Sequence, residues 1–336
     1  MSTSDHSGGP VRSPVFGAPR NGLLDDDLVV PFATSLNGVS GRLVRLGAAV
    51  DTILTKHDYP EAVSVALGEA LVLASLLGSA LKFEGQLILQ TKTDGPLSLL
   101  VADYVVPGHL RGYASADATR VADITASTGT PDEKQSRLLG RGYLAMTIDP
   151  GGDMDRYQGI VALEADTLAT AAHTYFRQSE QLPTLIRLSV ARHFADGTWR
   201  WRAGGLMIQH VARGGGLAAP AHANDEARDA SLEGEHGDDW NRIKLLAASI
   251  ENHELIDPSL SPLRLLYRLF HEEGVTAREP SPLIARCRCS RERLLGFLRG
   301  FDAAALADMR DANGRLSATC EFCSTVYEYG AEDGVG

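Results

Sequence analysis

Cysteine is nearly absent from this chain of 336 residues, and the few cysteines lie in one segment. There are four: Cys287, Cys289, Cys320 and Cys323. The N-terminus lacks the apolar core of a signal peptide, so we expect a cytoplasmic protein, in which thiols stay reduced and structural disulfides are rare. Four thiols grouped in this way in a reducing compartment indicate a metal site, a redox site or both.

A long apolar run and a basic excess are also missing. The most apolar stretch, residues 70–81, is shorter than the ~20 residues that a membrane-spanning helix needs. The formal net charge of -11 argues against a general nucleic-acid binder, which carries a basic face. We therefore expect neither a membrane nor a nucleic acid among the partners.

Common catalytic signatures are missing as well. The sequence has no Gly-x-Ser-x-Gly elbow, no phosphate-binding P-loop and no His-Glu-x-x-His helix of the zinc-protease type. The two His-Glu pairs, at His253 and His271, lack the second histidine of that helix. We expect no enzymatic activity.

Apolar runs of strand length dominate residues 26–212, which we interpret as one core domain. The predicted strands are residues 28–32, 42–46, 86–91, 97–103, 143–149, 157–163, 183–194 and 199–211. Tight turns such as Asp196-Gly197 join several of them, which indicates antiparallel pairing. Helices over residues 60–83 and 166–180 interrupt the strands. Strands in runs with helices inserted as blocks predict an α+β fold with an antiparallel-sheet core.

The segments beside this core differ from it in composition. Residues 1–25 are rich in Gly, Ser and Pro, and residues 213–239 in Gly, Ala and acidic residues. We interpret them as a disordered N-terminal tail and a flexible joint.

A helical linker is predicted over residues 240–280. Its first amphipathic helix takes Asp239 as N-cap, and its second begins at Ser261-Pro262 and is closed by Gly274. The second helix is expected to direct four apolar side chains inward: Leu263, Leu266, Tyr267 and Phe270. Such helices need an apolar partner surface, and the core domain is the obvious one.

The smallest predicted unit covers residues 281–330 and is followed by a tail over 331–336. Helices over 291–299 and 303–312 precede two short strands, 315–319 and 325–329, on either side of Cys320-Glu321-Phe322-Cys323. A unit of about 50 residues with few large apolar side chains cannot easily hold together without a staple.

The four cysteines can provide that staple. Zinc prefers tetrahedral coordination, and four thiolates fill a structural site. A Cys-x-x-Cys turn places two sulfurs near adjacent corners of the tetrahedron, and the tighter Cys287-Arg288-Cys289 segment supplies the other two. We therefore predict one zinc ion, bound in the reduced state by Cys287, Cys289, Cys320 and Cys323, whose removal unfolds the unit.

Four arginines surround the first cysteine pair: Arg286, Arg288, Arg291 and Arg293. Their guanidinium groups are expected to stabilise the negative charge of a four-thiolate site and to favour the reactive thiolate form. Reactive thiolates suit a redox sensor, because oxidants convert them to sulfenic acid and then to disulfides. The alternative, which the sequence supports equally well, is a solvated helix face.

Several segments resemble the heat shock protein 33 family of redox-regulated bacterial chaperones. The Cys-x-Cys and Cys-Glu-Phe-Cys motifs, with thirty residues between them, are similar to the C-terminus of that family. Five segments of the core domain are also similar to the family and occur in the family's order: residues 89–97, 110–114, 157–161, 175–183 and 204–209. The resemblance covers residues 26–330. The longer N-terminal tail and the expanded 213–239 stretch depart from the family pattern.

The resemblance implies an ATP-independent holdase that is inactive when reduced and zinc-bound. Hypochlorous acid, or peroxide with heat, would oxidise the thiolates to Cys287–Cys289 and Cys320–Cys323 disulfides and expel zinc. The zinc unit and then the linker would unfold, and the exposed apolar surface would bind unfolding client proteins. Family members dimerise when active, so the resemblance also implies a homodimer in the oxidised state.

Two other functions stay open on the residues alone. One is a zinc-ribbon adaptor that binds nucleic acid or a ribosomal partner through the arginine-rich segment around Cys287. The other is a thiol oxidoreductase that uses Cys320 and Cys323, although the βαβ context of thioredoxin-like proteins is missing from this segment.

Overall fold

The computed structural model describes residues 26–336 except 37, 83, 153, 181, 211–234, 312–313, 331–332 and 335–336. The predicted tail over 1–25, most of the predicted joint over 213–239 and much of the tail over 331–336 therefore lie outside the described residues. The helices are α1 (Ala48–Leu54), α2 (Glu61–Gly78), α3 (Ala118–Ala126), α4 (Pro131–Leu139), α5 (Leu168–Tyr175), α6 (Glu235–Ala248), α7 (Asn252–Ile256), α8 (Pro262–Phe270), α9 (Arg291–Leu298) and α10 (Ala303–Asp308). A π-helical turn, Phe176–Glu180, follows α5, and a 3-10 turn, His271–Glu273, follows α8.

Fourteen strands accompany these helices in the described residues. They are β1 (Leu28–Thr34), β2 (Val39–Leu46), β3 (Gln86–Thr93), β4 (Leu97–Val105), β5 (His109–Ala116), β6 (Arg141–Asp149), β7 (Tyr157–Glu164), β8 (Thr184–Ala195), β9 (Thr198–His210), β10 (Val275–Ala277), β11 (Ser281–Pro282), β12 (Ile284–Ala285), β13 (Leu316–Thr319) and β14 (Val326–Tyr329).

Two six-stranded sheets form the core, and the fold is α+β as predicted. The first sheet has the order β10–β1–β2–β9–β8, with β11 beside β1, and the second has the order β12–β5–β4–β3–β6–β7. Their pairs are antiparallel except that of β12 with β5, which is parallel. The predicted hairpin turn at Asp196-Gly197 joins β8 to β9, with positive φ angles of 54° and 75°.

Helix α2 lies between the two sheets at the centre of the core. The largest buried cluster joins Val44 of the first sheet, Leu71 of α2 and Leu100 of the second sheet. A helix that is apolar on all sides is expected to be buried in this way. Among the described residues, α2 alone is long and apolar enough to cross a membrane, but 72% of it is buried inside the protein. It ends at Gly78, short of the predicted residue 83, because Gly78 and Ser79 are poor helix formers.

The linker helices, α6, α7 and α8, cover the face of the first sheet that points away from α2. Their buried side chains form one cluster with Leu43 of β2 and Leu206 of β9. Phe270 of α8 stacks on Phe32 of β1, with 5.6 Å between the ring centroids. The apolar faces of the linker helices therefore pack on the core domain, as predicted.

Two predictions for the linker helices are wrong. Asp239 is not an N-cap, because α6 begins at Glu235 and Asp239 lies within the helix. Tyr267 is 50% exposed, because the buried stripe of α8 consists of Leu265, Leu266, Leu269 and Phe270. The predicted cap at Ser261 is confirmed by its hydroxyl, which accepts a hydrogen bond from Arg264 N at 3.3 Å.

The C-terminal unit, residues 287–330, contains α9, α10 and the β13–β14 hairpin. Its apolar core is small and consists of Leu298, Leu306, Leu316 and Tyr329. Helix α10 ends at Asp308 rather than at the predicted residue 312. A core of this size is consistent with the expected need for a staple.

The segment before this unit runs along both sheets. Strands β10 and β11 pair with β1 of the first sheet, and β12 pairs with β5 of the second. Residues 275–286 thus connect the linker helices to the first cysteine pair along the surface of the core. The predicted domain limits, including that between residues 280 and 281, stay predictions.

Candidate metal centre

The first cysteine pair is held between an edge of the second sheet and the start of α9. Arg286 N, directly after β12, donates to Leu110 O of β5 at 2.8 Å. On the other side of the pair, the Ser290 hydroxyl caps α9 and accepts from Arg293 N at 3.3 Å. The core and the helix together position the extended Cys-x-Cys segment.

The second cysteine pair lies in the turn of the β13–β14 hairpin. Cys320 N donates to Thr325 O at 2.9 Å, and Ser324 N donates to Cys320 O at 2.8 Å. Ser324 has a left-handed φ of 56°, which reverses the chain directly after Cys323. The hairpin thereby brings both cysteines of this pair to one end of the unit.

The four sulfur atoms converge, as the sequence predicts. All four lie within 4.8 Å of one another. Cys287 Sγ is 3.7 Å from Cys320 Sγ, and Cys289 Sγ is 3.4 Å from Cys323 Sγ. Zinc–sulfur bonds of about 2.3 Å in a tetrahedron place sulfurs about 3.8 Å apart. The arrangement therefore fits a tetrahedral four-thiolate metal site, and both of these contacts join one cysteine pair to the other.

Burial affects the pKa of three of these thiols, those of Cys289, Cys320 and Cys323. It raises the pKa of Cys289 to about 12 and also raises the pKa of Cys320. Burial acts in the same direction on Cys323, but hydrogen bonds with the hydroxyl and amide of Thr325, and then with Cys289 and Cys287, outweigh it and bring the pKa of Cys323 to about 7. Thiols packed this closely resist joint ionisation, and a divalent cation among them favours the thiolates. The donor set suits a thiophilic, tetrahedral metal.

The four predicted arginines have different partners. Arg288 donates to Asp103 Oδ2 at 3.0 Å and to Gln86 Oε1, so its guanidinium lies against the second sheet. Arg291 instead donates to Asp333 Oδ2 at 2.7 Å and lies over the ring of Tyr329. Arg288 thus anchors the Cys-x-Cys segment to the core, and Arg291 pairs with the side-chain carboxylate of Asp333.

The remaining two arginines border the first cysteine pair. Arg293 Nη1 donates to Arg288 O at 3.1 Å, and Arg286 Nη1 lies 3.4 Å from His109 Nε2. Together with Arg288 they line an open depression that also contains Cys287 and Cys289. Their positions are compatible with the expected effect on the thiolates, which stays a prediction for all four arginines.

The second cysteine pair also carries the contact with the core. Phe322 lies against two side chains of β5: the Arg111 guanidinium carbon is 3.9 Å from its ring centroid, and the Tyr113 ring centroid is 6.2 Å away. Ser324 Oγ donates to Lys56 O at 2.8 Å and lies 3.4 Å from His57 Nδ1. The turn that holds two of the four sulfurs therefore docks the C-terminal unit on the core.

Comparison with known proteins agrees with this architecture. The sequence model of the family described as "Hsp33 protein" matches residues 27–330. The chain belongs to the Hsp33 family. A protein named "33 kDa chaperonin" from Caulobacter vibrioides is 45% identical over 311 residues, which cover 93% of this chain and 97% of that protein. Another of that name, from Pectobacterium carotovorum, is 35% identical over 295 residues, covering 88% and 90%.

A solved structure shows the same fold as this Hsp33 chain. The crystal structure of the 33 kDa chaperonin from Thermotoga maritima superposes with a TM-score of 0.70 at 23% identity, and the match covers 91% of this chain and 96% of that one. The two sheets, the linker helices and the C-terminal cysteine cluster therefore belong to an Hsp33 fold.

The core residues on which the C-terminal unit docks were not predicted from the sequence of this Hsp33 protein. Asp103, of which 2% of the side chain is exposed, bonds both Arg111 at 2.6 Å and Arg288 at 3.0 Å. His57 stacks on Tyr59, with 4.7 Å between the rings, beneath the second cysteine turn. Part of this surface could have been found from the sequence, because residues 110–114 form one of the segments that resemble the family. No sequence pattern pointed to Asp103 or His57.

Proposed function

We propose that this Hsp33 chain is a redox-regulated, ATP-independent holdase. Reduced and zinc-bound, it stays inactive; oxidation of four cysteines to two disulfides releases zinc, unfolds the linker and exposes apolar surface to unfolding client proteins. It works in the cytoplasm under oxidative stress, performs no catalysis, and binds neither nucleic acid nor membranes. The oxidised form associates as a homodimer.

One observation carries this proposal: the turn that holds Cys320 and Cys323 also docks the C-terminal unit on the core through Phe322 and Ser324. Covalent change at the sulfurs alters the backbone of this turn, because a disulfide has tighter geometric requirements than a shared metal site. The contacts of Phe322 and Ser324 with the core are then expected to be lost together.

The oxidation balances with a two-electron oxidant such as hypochlorous acid. Two thiolates, one hypochlorous acid and one proton give one disulfide, one chloride and one water. The sulfurs lose two electrons and the oxidant gains them, so two disulfides require two equivalents. We assign these disulfides to Cys287–Cys289 and Cys320–Cys323, and bound zinc supplies charge that keeps the four thiolates together until then.

When the C-terminal unit undocks, residues 275–286 transmit the change to the linker helices. This segment follows α8 and the 3-10 turn His271–Glu273, and it pairs with β1 and β5 through β10, β11 and β12. The apolar faces of α6 and α8, and the sheet face beneath them, form one buried cluster in the docked state. Lifting the linker would expose both surfaces, and large apolar patches bind other proteins.

The test uses reduced, zinc-loaded protein treated with hypochlorous acid. We expect zinc to leave and aggregation of a thermally unfolding enzyme to be suppressed, with neither effect in protein kept under dithiothreitol. Oxidised protein that is then reduced with dithiothreitol and reloaded with zinc controls for oxidation elsewhere in the chain, and it should no longer suppress aggregation. Zinc release without suppression of aggregation would contradict the holdase. Tight nucleic-acid binding by the reduced form at physiological salt would favour the zinc-ribbon adaptor instead.

A further inference from the structure

Three arginines lie on the face of the first sheet that the linker covers. In the strand register, Arg45 of β2 pairs with Gly204 of β9, and Arg187 of β8 pairs with Leu206 of β9. Arg202 of β9 lies two residues before Gly204, so it points to the same side. Leu206 belongs to the cluster shared with the linker helices, which identifies this face.

Arg45 is fully buried and holds the linker by its main chain. Its exposed fraction is 0%. Its guanidinium donates to Leu260 O at 2.8 Å, to Glu254 O at 3.2 Å and to Asp257 O. The acceptors are carbonyl oxygens at the end of α7, where partners within the helix run out, and in the turn that follows, where Asp257 O also accepts from Leu260 N at 3.3 Å.

The other two arginines bind the same stretch of main chain. Arg202 Nε donates to Ile256 O at 2.7 Å, and the same side chain also pairs with Asp26. Arg187 Nη2 donates to Ile250 O at 3.1 Å and to Asn252 Oδ1 at 3.2 Å. Five carbonyl groups between residues 250 and 260 are therefore bound by three arginines of the core.

The sheet is also shaped for a polypeptide backbone. A Cβ atom at Gly204 would lie 2.1 Å from Leu255 O, so only glycine lets the linker main chain approach this closely. Apolar side chains such as Leu43 and Ile208 surround the arginines on the same face. The face thus combines apolar contacts, which are not directional, with donors aimed at carbonyl oxygens.

This combination distinguishes unfolded from folded polypeptide. Buried carbonyl groups of native proteins are nearly all paired within secondary structure, whereas an unfolded segment has them free. A guanidinium offers several donors in a fixed plane and makes stronger hydrogen bonds than a neutral donor does. Carbonyl binding also carries no sequence requirement, which suits a surface for many clients.

We propose that Arg45, Arg187 and Arg202 form the polar part of a client-binding surface on the first sheet, and that after linker release they bind the main-chain carbonyls of an unfolded segment. The inference rests on the proposed holdase function and adds the chemical group that is recognised. The occupant is an unfolded polypeptide with apolar side chains, because the linker segment that occupies this face in the folded protein has that chemistry.

The test measures peptide binding to the oxidised, zinc-free protein by isothermal titration calorimetry. The probe is a 15-residue apolar peptide with an amidated C-terminus and no Asp or Glu, so main-chain carbonyls are its acceptors. We expect an Arg45→Met, Arg187→Met variant to bind about a hundredfold more weakly, since each arginine loses at least one charged hydrogen bond and each such bond is worth about tenfold in affinity. An Arg141→Met, Arg156→Met variant removes the same charge from two exposed positions, one at the start of β6 and one just before β7, and it should bind like the parent.

The single variant Arg187→Met keeps the test decisive if the double variant does not fold, because Arg187 is only half-buried. We expect it to weaken binding about tenfold, as the loss of one charged hydrogen bond implies. Parent-like affinity of a folded double variant, or of Arg187→Met where the double does not fold, would overturn the inference while leaving the holdase intact. Failure of the oxidised parent both to bind the peptide and to suppress aggregation would overturn both.

Discussion

Phe322 packs under the guanidinium of Arg111, with 3.9 Å between the guanidinium carbon and the ring centroid. Phe322 lies between Cys320 and Cys323, and Arg111 is fixed on β5 by the buried carboxylate of Asp103. One turn therefore belongs to the sulfur cluster and to the core interface. This relationship gives a direct physical route from thiol chemistry to the position of the C-terminal unit.

Replacing Phe322 should weaken docking without removing a sulfur. Phe322→Ala loses a cation–π contact and part of an aromatic contact, together worth about 1–2 kcal/mol. We expect zinc to transfer to a chromophoric chelator about fivefold to tenfold faster from the undocked unit, measured by absorbance under reducing conditions. Phe297→Ala is the matched control, because Phe297 lies in the same unit and is 66% exposed. Equal transfer rates for the two variants would contradict the docking role of Phe322.

The buried ion pair of Arg288 with Asp103 should contribute more to the free energy of unfolding than an exposed ion pair of the same length. Arg288→Met leaves Asp103 with one cation fewer, and we expect a loss of about 1–3 kcal/mol in the free energy of unfolding by urea. Arg315 and Glu328 are also 3.0 Å apart, but both are 63% exposed, so Arg315→Met should change stability by less than about 0.5 kcal/mol. Similar losses in both variants would show that the Asp103 contact does not anchor the unit.

A methyl group at Gly204 should lift the linker without any oxidant. In Gly204→Ala the new Cβ would collide with Leu255 O, and the linker must move away from β9. We expect the reduced, zinc-loaded variant to bind an apolar fluorescent dye more strongly than the parent does. Gly296→Ala, where a Cβ meets nothing within 4 Å, is the control. An unchanged dye signal in Gly204→Ala would argue that the linker can adapt without leaving the sheet.

The carboxyl group of Glu69 should make core stability depend on pH. Burial in α2 raises the pKa of Glu69 to about 7, although a hydrogen bond from Gln135 acts in the opposite direction. Because the folded-state pKa lies above the unfolded one, the ionised form opposes folding, and stability falls as the pH rises from about 4.5 through 7.

Glu69→Gln removes this titration. We expect the variant to gain about 1–2 kcal/mol over the parent at pH 8 and little at pH 4.5, measured by chemical unfolding at both values. Glu61→Gln, at the exposed start of the same helix, reports the effect of net charge alone. A constant difference between Glu69→Gln and the parent across this range would contradict the raised pKa.

The sulfur cluster was predictable because its chemistry is local. Cys-x-Cys and Cys-x-x-Cys spacings limit the geometry of each pair, and a small unit with few large apolar side chains needs a metal staple. The partners of the cluster on the core were not predictable in this way. Asp103 and His57 lie far from the cysteines in sequence, and neither has a local pattern that indicates a contact.

Secondary structure was also predictable where local sequence decides it and not where contacts between distant residues do. Strands with clear apolar alternation, such as β3, were found within a few residues of their limits. Helices α3 and α4 were missed because they are short and largely exposed, although Thr130 and Glu133 form a capping box that is visible in the sequence. Asp239 and Tyr267 were misassigned because the start of α6 and the buried side of α8 depend on how the linker lies on the first sheet.

Amide hydrogen exchange across residues 238–270 tests the central claim, that oxidation of the cysteines frees the linker. The measurement compares reduced, zinc-loaded protein with protein in which mass spectrometry shows all four cysteines oxidised. We predict slow exchange in α6 and α8 of the reduced form and near-complete loss of protection in the oxidised form, while α2 stays protected. Undiminished protection of α6 and α8 in the fully oxidised protein would contradict the account.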